Sequence, residues 1–520
     1  MVEYVEKTTK RVDVWKLKKY ECRVKIIDIL TGAKIIVLNK SEAQDHDIYW
    51  GYRTEMHIEG KPHTVIVDVS EDLIKRGEVG VFRDIAQYYN LKNGEVVEIV
   101  HMDRPESIRY IRKKLDKGTL NDAEIRTIVR EIMQNRLSEI ETSAWITAAY
   151  INGLSDDEVI ALAYATVESG EQLNLGKSPV LDKHCIGGVA GNRTTMVIVP
   201  IIAAAGLYIP KTSSRAITSA AGTADTMEVL ANVTFNMEEL RSMVLKANGA
   251  IVWGGGMKLA PVDDKLIKIR HPLSLDPEGM LLASILGKKK SVGAECVLID
   301  IPVGRGVKVP YVERGNELAK HFLSVGERLD MKIEAIITDG AEPVGNGVGP
   351  GLECLDVMEV LDGKGPDDLR HKGLLMAGKL LELSGKVERG KGYSVAEGLV
   401  TSGKAMAKFR EIVELQGGNP KVRMSDIPVG QYTHAVTSDV AGSIFHIDNK
   451  VISKIARIAG APRDKGAGVL LHRLRGDRVE KGDKMFTIYA QSESNLGFAI
   501  NALKDLEPIE MRKMLLGTID

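Results

Sequence analysis

The chain reads as a multidomain α/β protein with an N-terminal β-rich domain, a helical domain, a large α/β domain with a mixed or parallel sheet, and a C-terminal α+β portion. Three observations predict this. At 520 residues the chain is too long for one compact core. Its apolar pattern changes after Pro105 from short Val- and Ile-rich runs to helical spacing. From Val180 onward, strand-like runs alternate with helical stretches, as in a largely parallel sheet.

In order along the chain, Val24–Ile29, Lys34–Leu38, Thr64–Val69 and Val96–Val100 read as strands punctuated by glycine, with a helix around Phe82–Tyr89. His46, His57 and His63 raise a metal site, but Gly, Pro and charge lie between them, and solvent-exposed histidines are the preferred reading. Capping-box pairs Asn121/Glu124, Ser138/Glu141 and Ser155/Glu158 open three helices. Met196–Val199, Ala250–Trp253, Val297–Ile301 and Ile333–Thr338 read as strands, and Met237–Lys246 as a helix with a solvated face. Gly345–Gly351 precedes another helix and forms a further anion-binding turn by composition. Thr433–Phe445 and Arg478–Tyr489 read as strands flanking a helix at Val451–Ala459. Gly476–Asp483 resembles the turn of a lipoyl-type hammerhead but lacks its Met-Lys context, so it reads as structural. The expected domain limits are 1–104, 105–178 with a returning segment at about 261–290, 179–260 with 291–426, and 427–520.

Lys plus Arg (70) nearly cancels Asp plus Glu (71), so no global field recruits nucleic acid or an acidic membrane surface. No apolar run reaches membrane-spanning length, and Met1–Lys7 lacks an apolar signal-peptide core. Cys22, Cys185, Cys296 and Cys354 show neither metal-ligand spacing nor a disulfide framework. A cytoplasmic protein is expected.

Two hydroxyl-rich, glycine-rich loops dominate the middle of the chain. The first runs from Asp182 to Thr195 (Asp-Lys-His-Cys-Ile-Gly-Gly-Val-Ala-Gly-Asn-Arg-Thr-Thr), the second from Ser213 to Asp225 (Ser-Ser-Arg-Ala-Ile-Thr-Ser-Ala-Ala-Gly-Thr-Ala-Asp). Glycines let backbone approach a bulky anion while amides and hydroxyls point at its oxygens. Lys183, Arg193 and Arg215 add charge there, so phosphate is the natural guest. Glycine-rich strand-to-helix turns that bind nothing fit the same composition.

Lys183–Gly188, Gly222–Asp225 and Ala283–Lys289 together resemble the thymidine/pyrimidine nucleoside phosphorylase family, in matching order from about Pro105 to the end. Ser214–Thr223 and the β-rich extension are similar to the archaeal branch of that family that acts on AMP. The resemblance implies phosphorolysis of a nucleoside 5′-monophosphate (AMP, with CMP and UMP open) to free base and ribose 1,5-bisphosphate. It implies a homodimer or larger homo-oligomer, small-molecule partners, no organic cofactor, and a site closed by a hinge between the helical and α/β domains.

Carried over by resemblance, Lys183, Thr194 and Thr195 bind inorganic phosphate, and Gly188, Ser214, Arg215, Ala216, Ile217, Thr218, Ser219, Thr223, Ser284, Lys288 and Lys308 bind the substrate. Asp276 is the acid that protonates the leaving base, and His184 stands beside the reacting centre. Relatives have Ser where Cys185 stands, and a thiol is a weaker donor. Pyrimidine nucleoside enzymes carry His at the position of Ser219, and the small hydroxyl leaves room for a 5′-phosphate. Asp276-Pro277-Glu278 also reads as a helix start, with Asp as N-cap and Pro at N1. Ser284 and Lys288 share a helix face, Arg270 is the nearest match to a base-reading arginine, and Lys289 and Lys290 are expected to be solvated. A pyrimidine nucleoside phosphorylase, a phosphoribosyltransferase of the anthranilate type and a non-catalytic AMP sensor are the alternatives.

Overall fold

The computed structural model describes residues 19–102, 104–217 and 219–512. The chain divides into two compact units at Ala148/Ala149.

In the first unit, β1 (Lys19–Ile27), β2 (Ile35–Asn39), β3 (Arg53–Ile58), β4 (Lys61–Ser70), β5 (Glu78–Phe82) and β6 (Val96–His101) close a barrel of order β1-β5-β2-β4-β3-β6, with α1 (Lys40–Asp45) and α2 (Arg83–Tyr89) between strands. Closure pairs every strand edge and turns alternate side chains such as Ile36, Met56, Val65, Val79 and Ile99 inward. The three histidines are not solvent-exposed as expected. His46 stacks on Tyr20 at 3.9 Å, His63 packs on Tyr89 at 4.4 Å and His57 bonds Glu55 at 3.0 Å, because aromatic and carboxylate neighbours from adjoining segments cover them. Next come α3 (Ser107–Leu115), α4 (Asp122–Met133) and α5 (Glu139–Asn152). Asn121/Glu124 forms a reciprocal capping box on α4, and Ser138/Glu141 does the same before α5.

The second unit continues with α6 (Asp156–Glu168), opened by the Ser155/Glu158 box. A parallel sheet follows, built from β7 (Leu181–Cys185), β8 (Ile209–Ser213), β9 (Gly249–Trp253), β10 (Cys296–Val303) and β11 (Lys332–Asp339). Strand β10 lies between β11 and β7, β8 pairs with β9, and a parallel Val180–Tyr208 bridge joins the two groups. The opening of the expected first loop, Asp182–Cys185, therefore belongs to a strand, held in register by Val297–Asp300.

Met196–Val199 is helix rather than strand: it lies within α7 (Thr194–Ala204), which also contains Pro200. Met196, Val197, Ile198, Val199, Ile201 and Ile202 are all fully buried, so α7 shows no polar face and its sequence no helical period. The remaining elements are α8 (Thr223–Met227), α9 (Met237–Ala247), α10 (Pro261–Arg270), α11 (Glu278–Ser291), α12 (Val312–Arg328), the short β12 (Gly347–Val348), α13 (Pro350–Leu361), α14 (Asp367–Leu383), α15 (Gly392–Thr401) and α16 (Lys404–Leu415). Helices α14 and α16 cover α7, and α6 packs along α11.

At the C-terminal end, β13 (Tyr432–Thr437), β14 (Gly442–Ile447), α17 (Asn449–Ile458), β15 (Gly468–Leu471), β16 (Arg478–Val479), β17 (Lys484–Ala490), α18 (Glu493–Ala502) and β18 (Ile509–Met511) form two small sheets. Each long run expected as one strand is broken by a turn, Ser438–Ala441 in one and Glu480–Asp483 in the other, where Gly482 takes positive φ.

Candidate active site

All five strands of the sheet run the same way, so their carboxyl ends share one edge, the edge where open α/β sheets bind ligands. The first loop leaves β7 there, the second leaves β8, and Gly304–Lys308 leaves β10.

In the first loop, Gly187 and Gly188 take φ of 97° and 99°, a region that side chains rarely adopt. A Cβ on Gly188 would lie 3.0 Å from Val307 Cα and 3.2 Å from Lys308 N, so glycine here lets the first loop lie against the Lys308 loop. In this loop Gly188 is exposed, while His184, Cys185, Gly187 and Asn192 are half-buried. Lys183 lies beneath it, fully buried, its ammonium donating to Thr194 Oγ1 at 3.0 Å and lying 3.6 Å from Asp300 Oδ2. Thr194 in turn donates to Asn192 Oδ1 at 3.0 Å, and Thr195 is buried with it. Burial, then the neighbouring Lys289, Lys211, Lys183 and Lys288, hold the His184 pKa well below the ordinary imidazole value, so His184 is a neutral ring at physiological pH. Burial, reinforced by Asp300, pushes the Cys185 thiol up to about 11, which keeps it protonated.

The second loop is folded around Gly222. A Cβ there would fall 2.5 Å from Ser214 O and 2.8 Å from Ala216 N. Asp225 accepts the Ala216 and Gly222 amides at 2.6 and 2.9 Å. Ser214 and Ile217 are exposed, while Ala216, Ser219 and Thr223 are half-buried, and Ser219 Oγ donates to Ala221 O at 3.0 Å. Thr218 lies outside the described residues.

All three expected phosphate cations are occupied within the protein, Lys183 by Thr194 and Asp300 and the two arginines by carboxylates. Arg193 bonds Glu353, donates to Ala221 O at 2.7 Å and reaches Thr223 Oγ1 at 3.4 Å, so it pins the two loops together. Arg215 makes a bidentate pair with Glu228 at 2.7 and 2.5 Å and sits over the Trp253 ring.

Asp276, Arg270 and Lys308 meet. Arg270 donates to Asp276 Oδ1 at 2.6 Å and Lys308 to Oδ2 at 3.1 Å. The expected capping role of Asp276 does not hold: α11 starts at Glu278, Pro277 occupies the cap position, and no side chain caps the helix. The carboxylate is drawn away by two cations. Ser284 and Lys288 share a face as expected and both engage Asp263 Oδ2, at 2.7 and 2.5 Å.

Lys289 is the clearest correction. It is buried, not solvated, and donates to Asp182 Oδ2 at 2.8 Å, while Lys211 lies 3.3 Å from Oδ1 of the same carboxylate. Lys290 does reach the surface, donating to Leu329 O at 2.7 Å. The turn Gly345–Gly351 spends its amides on carboxyl groups of the chain itself: Asp356 accepts the Asn346 and Gly347 amides at 2.7 and 2.8 Å, and Asp368 accepts Gly345 at 2.9 Å.

Sequence reasoning missed the residues that support these loops. Asn449, at the start of α17, accepts the Ala190 amide at 2.9 Å and donates to Gly340 O and Ala341 O at 3.0 and 3.1 Å, fixing the first loop from 259 residues away. Asp182, Lys211, Asp263, Asp300 and Lys372 were missed likewise; the signal was charge inside apolar strand and helix runs, which demands a partner. Among the described residues no group of three or more His, Cys, Asp or Glu side chains could hold a metal ion, and no helix is long and apolar enough to cross a membrane.

Comparison with known proteins matches residues 108–170 to the helical bundle domain of a glycosyl transferase family and residues 177–406 to the a/b domain of that family. Residues 444–510 match the pyrimidine nucleoside phosphorylase C-terminal domain. The chain is 44% identical to the AMP phosphorylase of Pyrococcus furiosus over 96% of this chain and 99% of that one. It is 45% identical to the AMP phosphorylase of Thermococcus sibiricus and 42% identical to that of Methanococcoides burtonii, at the same coverage. Among solved structures, anthranilate phosphoribosyltransferase from Thermus thermophilus superposes with a TM-score of 0.51 at 19% identity, covering 59% of this chain and 99% of that chain, a likeness of fold.

Proposed function

This chain belongs to the AMP phosphorylase family of glycosyl transferases, and on that premise we propose that it cleaves nucleoside 5′-monophosphates with inorganic phosphate, releasing free base and ribose 1,5-bisphosphate. Inorganic phosphate binds at the first loop through Lys183, Thr194 and Thr195. The nucleotide binds at the second loop through Ser214–Ser219 and Thr223, with Gly188, Ser284, Lys288 and Lys308 completing its contacts.

The observation that carries this reading is the position of Lys308. Its ammonium holds Asp276 at 3.1 Å, while its backbone nitrogen lies against Gly188 of the phosphate loop. One residue thus joins the proposed acid to the proposed nucleophile site. Phosphate attacks C1′ as the base departs, and negative charge grows on the base. Asp276 supplies the proton, at N7 for adenine. In the free protein Arg270 and Lys308 both pair with the Asp276 carboxyl group. A nucleotide phosphate that draws Lys308 onto itself frees Asp276 Oδ2 to face the leaving base. His184, held neutral, stands beside the sugar without adding repulsion to its growing positive charge. Closure of the α10–α11 segment over the strand ends excludes water, which would otherwise take the place of phosphate at C1′ and hydrolyse the glycosidic bond.

The domain limits 1–104, 105–178 with 261–290, 179–260 with 291–426, and 427–520 are our working division; the family matches at 108–170 and 444–510 fall within the second and fourth of these, while the match at 177–406 runs through 261–290. We infer that the enzyme works in the cytoplasm as a homodimer or larger homo-oligomer, and the exposed Ile140, Tyr150 and Ile151 of α5 support a partner-facing helix.

The test compares base release from AMP and from uridine, with and without inorganic phosphate, in the presence of EDTA. Phosphate-dependent adenine release from AMP that resists EDTA supports the proposal. Preference for uridine would favour a nucleoside phosphorylase, and tight AMP binding without product would favour a sensor.

A further inference from the structure

Beneath the first loop lies a charged group for which the proposed reaction uses only Lys183. Asp300 of β10 is fully buried and is shared between two lysines, with Lys183 Nζ at 3.6 Å and Lys372 Nζ at 3.8 Å from its Oδ2. Its Oδ1 accepts Thr338 Oγ1 at 2.7 Å. Neither Asp300 Oδ2 nor Lys372 Nζ has a hydrogen bond, and both atoms are shut off from solvent. Lys372 reaches this point from α14, which packs on both α7 and β10.

One carboxylate cannot neutralise two ammoniums, so the group carries one surplus positive charge. A buried surplus is costly unless an anion offsets it, and hydrogen-bond partners left unmade add to the cost. The surplus sits behind Thr194 and Cys185, on the loop proposed to receive inorganic phosphate. We propose that Lys372 is a positioning residue for inorganic phosphate: by sharing Asp300, it keeps Lys183 from being neutralised there and leaves the Lys183 charge directed at the anion. Without Lys372, Asp300 pairs with Lys183 alone and withdraws that charge from the loop. This rests on the reading that the first loop holds inorganic phosphate.

The test uses the full chain carrying Lys372→Met or Lys372→Arg. With Lys372→Met, KM for phosphate rises about tenfold or more, equivalent to about 1.4 kcal/mol, while KM for AMP and kcat at saturating phosphate stay near the parent values. Lys372→Arg keeps the cation and restores KM for phosphate. Thermal unfolding with phosphate alone gives a reading that needs no turnover: phosphate raises the Tm of the parent and of Lys372→Arg but barely that of Lys372→Met. An active parent whose Lys372→Met variant keeps its KM for phosphate overturns the inference. So does a variant in which both KM values rise together, or one whose Tm responds to phosphate as the parent does. If Lys372→Met does not fold, an Arg variant with a KM for phosphate raised as far as a charge loss would raise it also overturns it. A parent that releases no base with phosphate refutes the functional reading instead.

Discussion

Replacing Asp276 with asparagine separates chemistry from scaffold. The side chain is 40% exposed and takes part in two ion pairs, with Arg270 and Lys308. The exposed pair with Lys308 contributes about 0–1 kcal/mol, the pair with the buried Arg270 keeps a hydrogen bond in the variant, and no helix cap is lost, because Asp276 caps nothing. Asparagine also retains an acceptor for Arg270. Stability should therefore fall by no more than about 1–2 kcal/mol. Loss of a general acid costs about 10²–10⁴-fold in rate, or about 2.7–5.4 kcal/mol of barrier at 1.36 kcal/mol per decade. The effect on turnover thus exceeds the effect on folding. Adenine release, followed by chromatography at saturating AMP and phosphate alongside a urea unfolding curve, reads both quantities. Turnover within about threefold of the parent would remove Asp276 from the chemistry. Turnover and stability falling in proportion would return it to the scaffold.

Asn449→Ala removes three hydrogen bonds, to Ala190, Gly340 and Ala341, the first two of them buried, and leaves their backbone groups unpaired. We expect a loss of about 2–4 kcal/mol in urea unfolding and a raised KM for phosphate; an unchanged KM would mean that the first loop holds its shape without α17. Glu228 is held at a pKa of about 2, first by Arg215 and then by Lys465 against the opposing effect of burial. Its folded value lies below the unfolded value of about 4.3, so its contribution is complete above that pH and is lost as pH falls through about 2. Glu228→Gln should flatten the acid limb of stability between those values, and parallel acid limbs in the two proteins would contradict the pairing.

The parts of the fold written locally were legible. The capping boxes at Asn121/Glu124 and Ser155/Glu158 appear as read, because both partners lie within one helical turn. Helix α7 was not legible, because burial on every side erases the period that distinguishes helix from strand. The site divides the same way. Glycines and hydroxyls marked both loops, and Arg270, Asp276 and Lys308, read separately, meet in one charge cluster. What the sequence could not display is which charges the protein spends on itself. Lys289 looks like its neighbour Lys290, yet it meets Asp182, 107 residues away. Arg193 and Arg215 look like phosphate ligands, yet Glu353 and Glu228 hold them. Long-range pairing decides these fates, and it leaves no trace in local spacing.

The central claim is that inorganic phosphate, not water, takes the sugar at the carboxyl edge of the parallel sheet. Phosphorus NMR of the purified protein with AMP and inorganic phosphate tests it directly. Inorganic phosphate and AMP should decline together, one for one, as two equal resonances of ribose 1,5-bisphosphate grow. A single ribose 5-phosphate resonance with inorganic phosphate unchanged would contradict it.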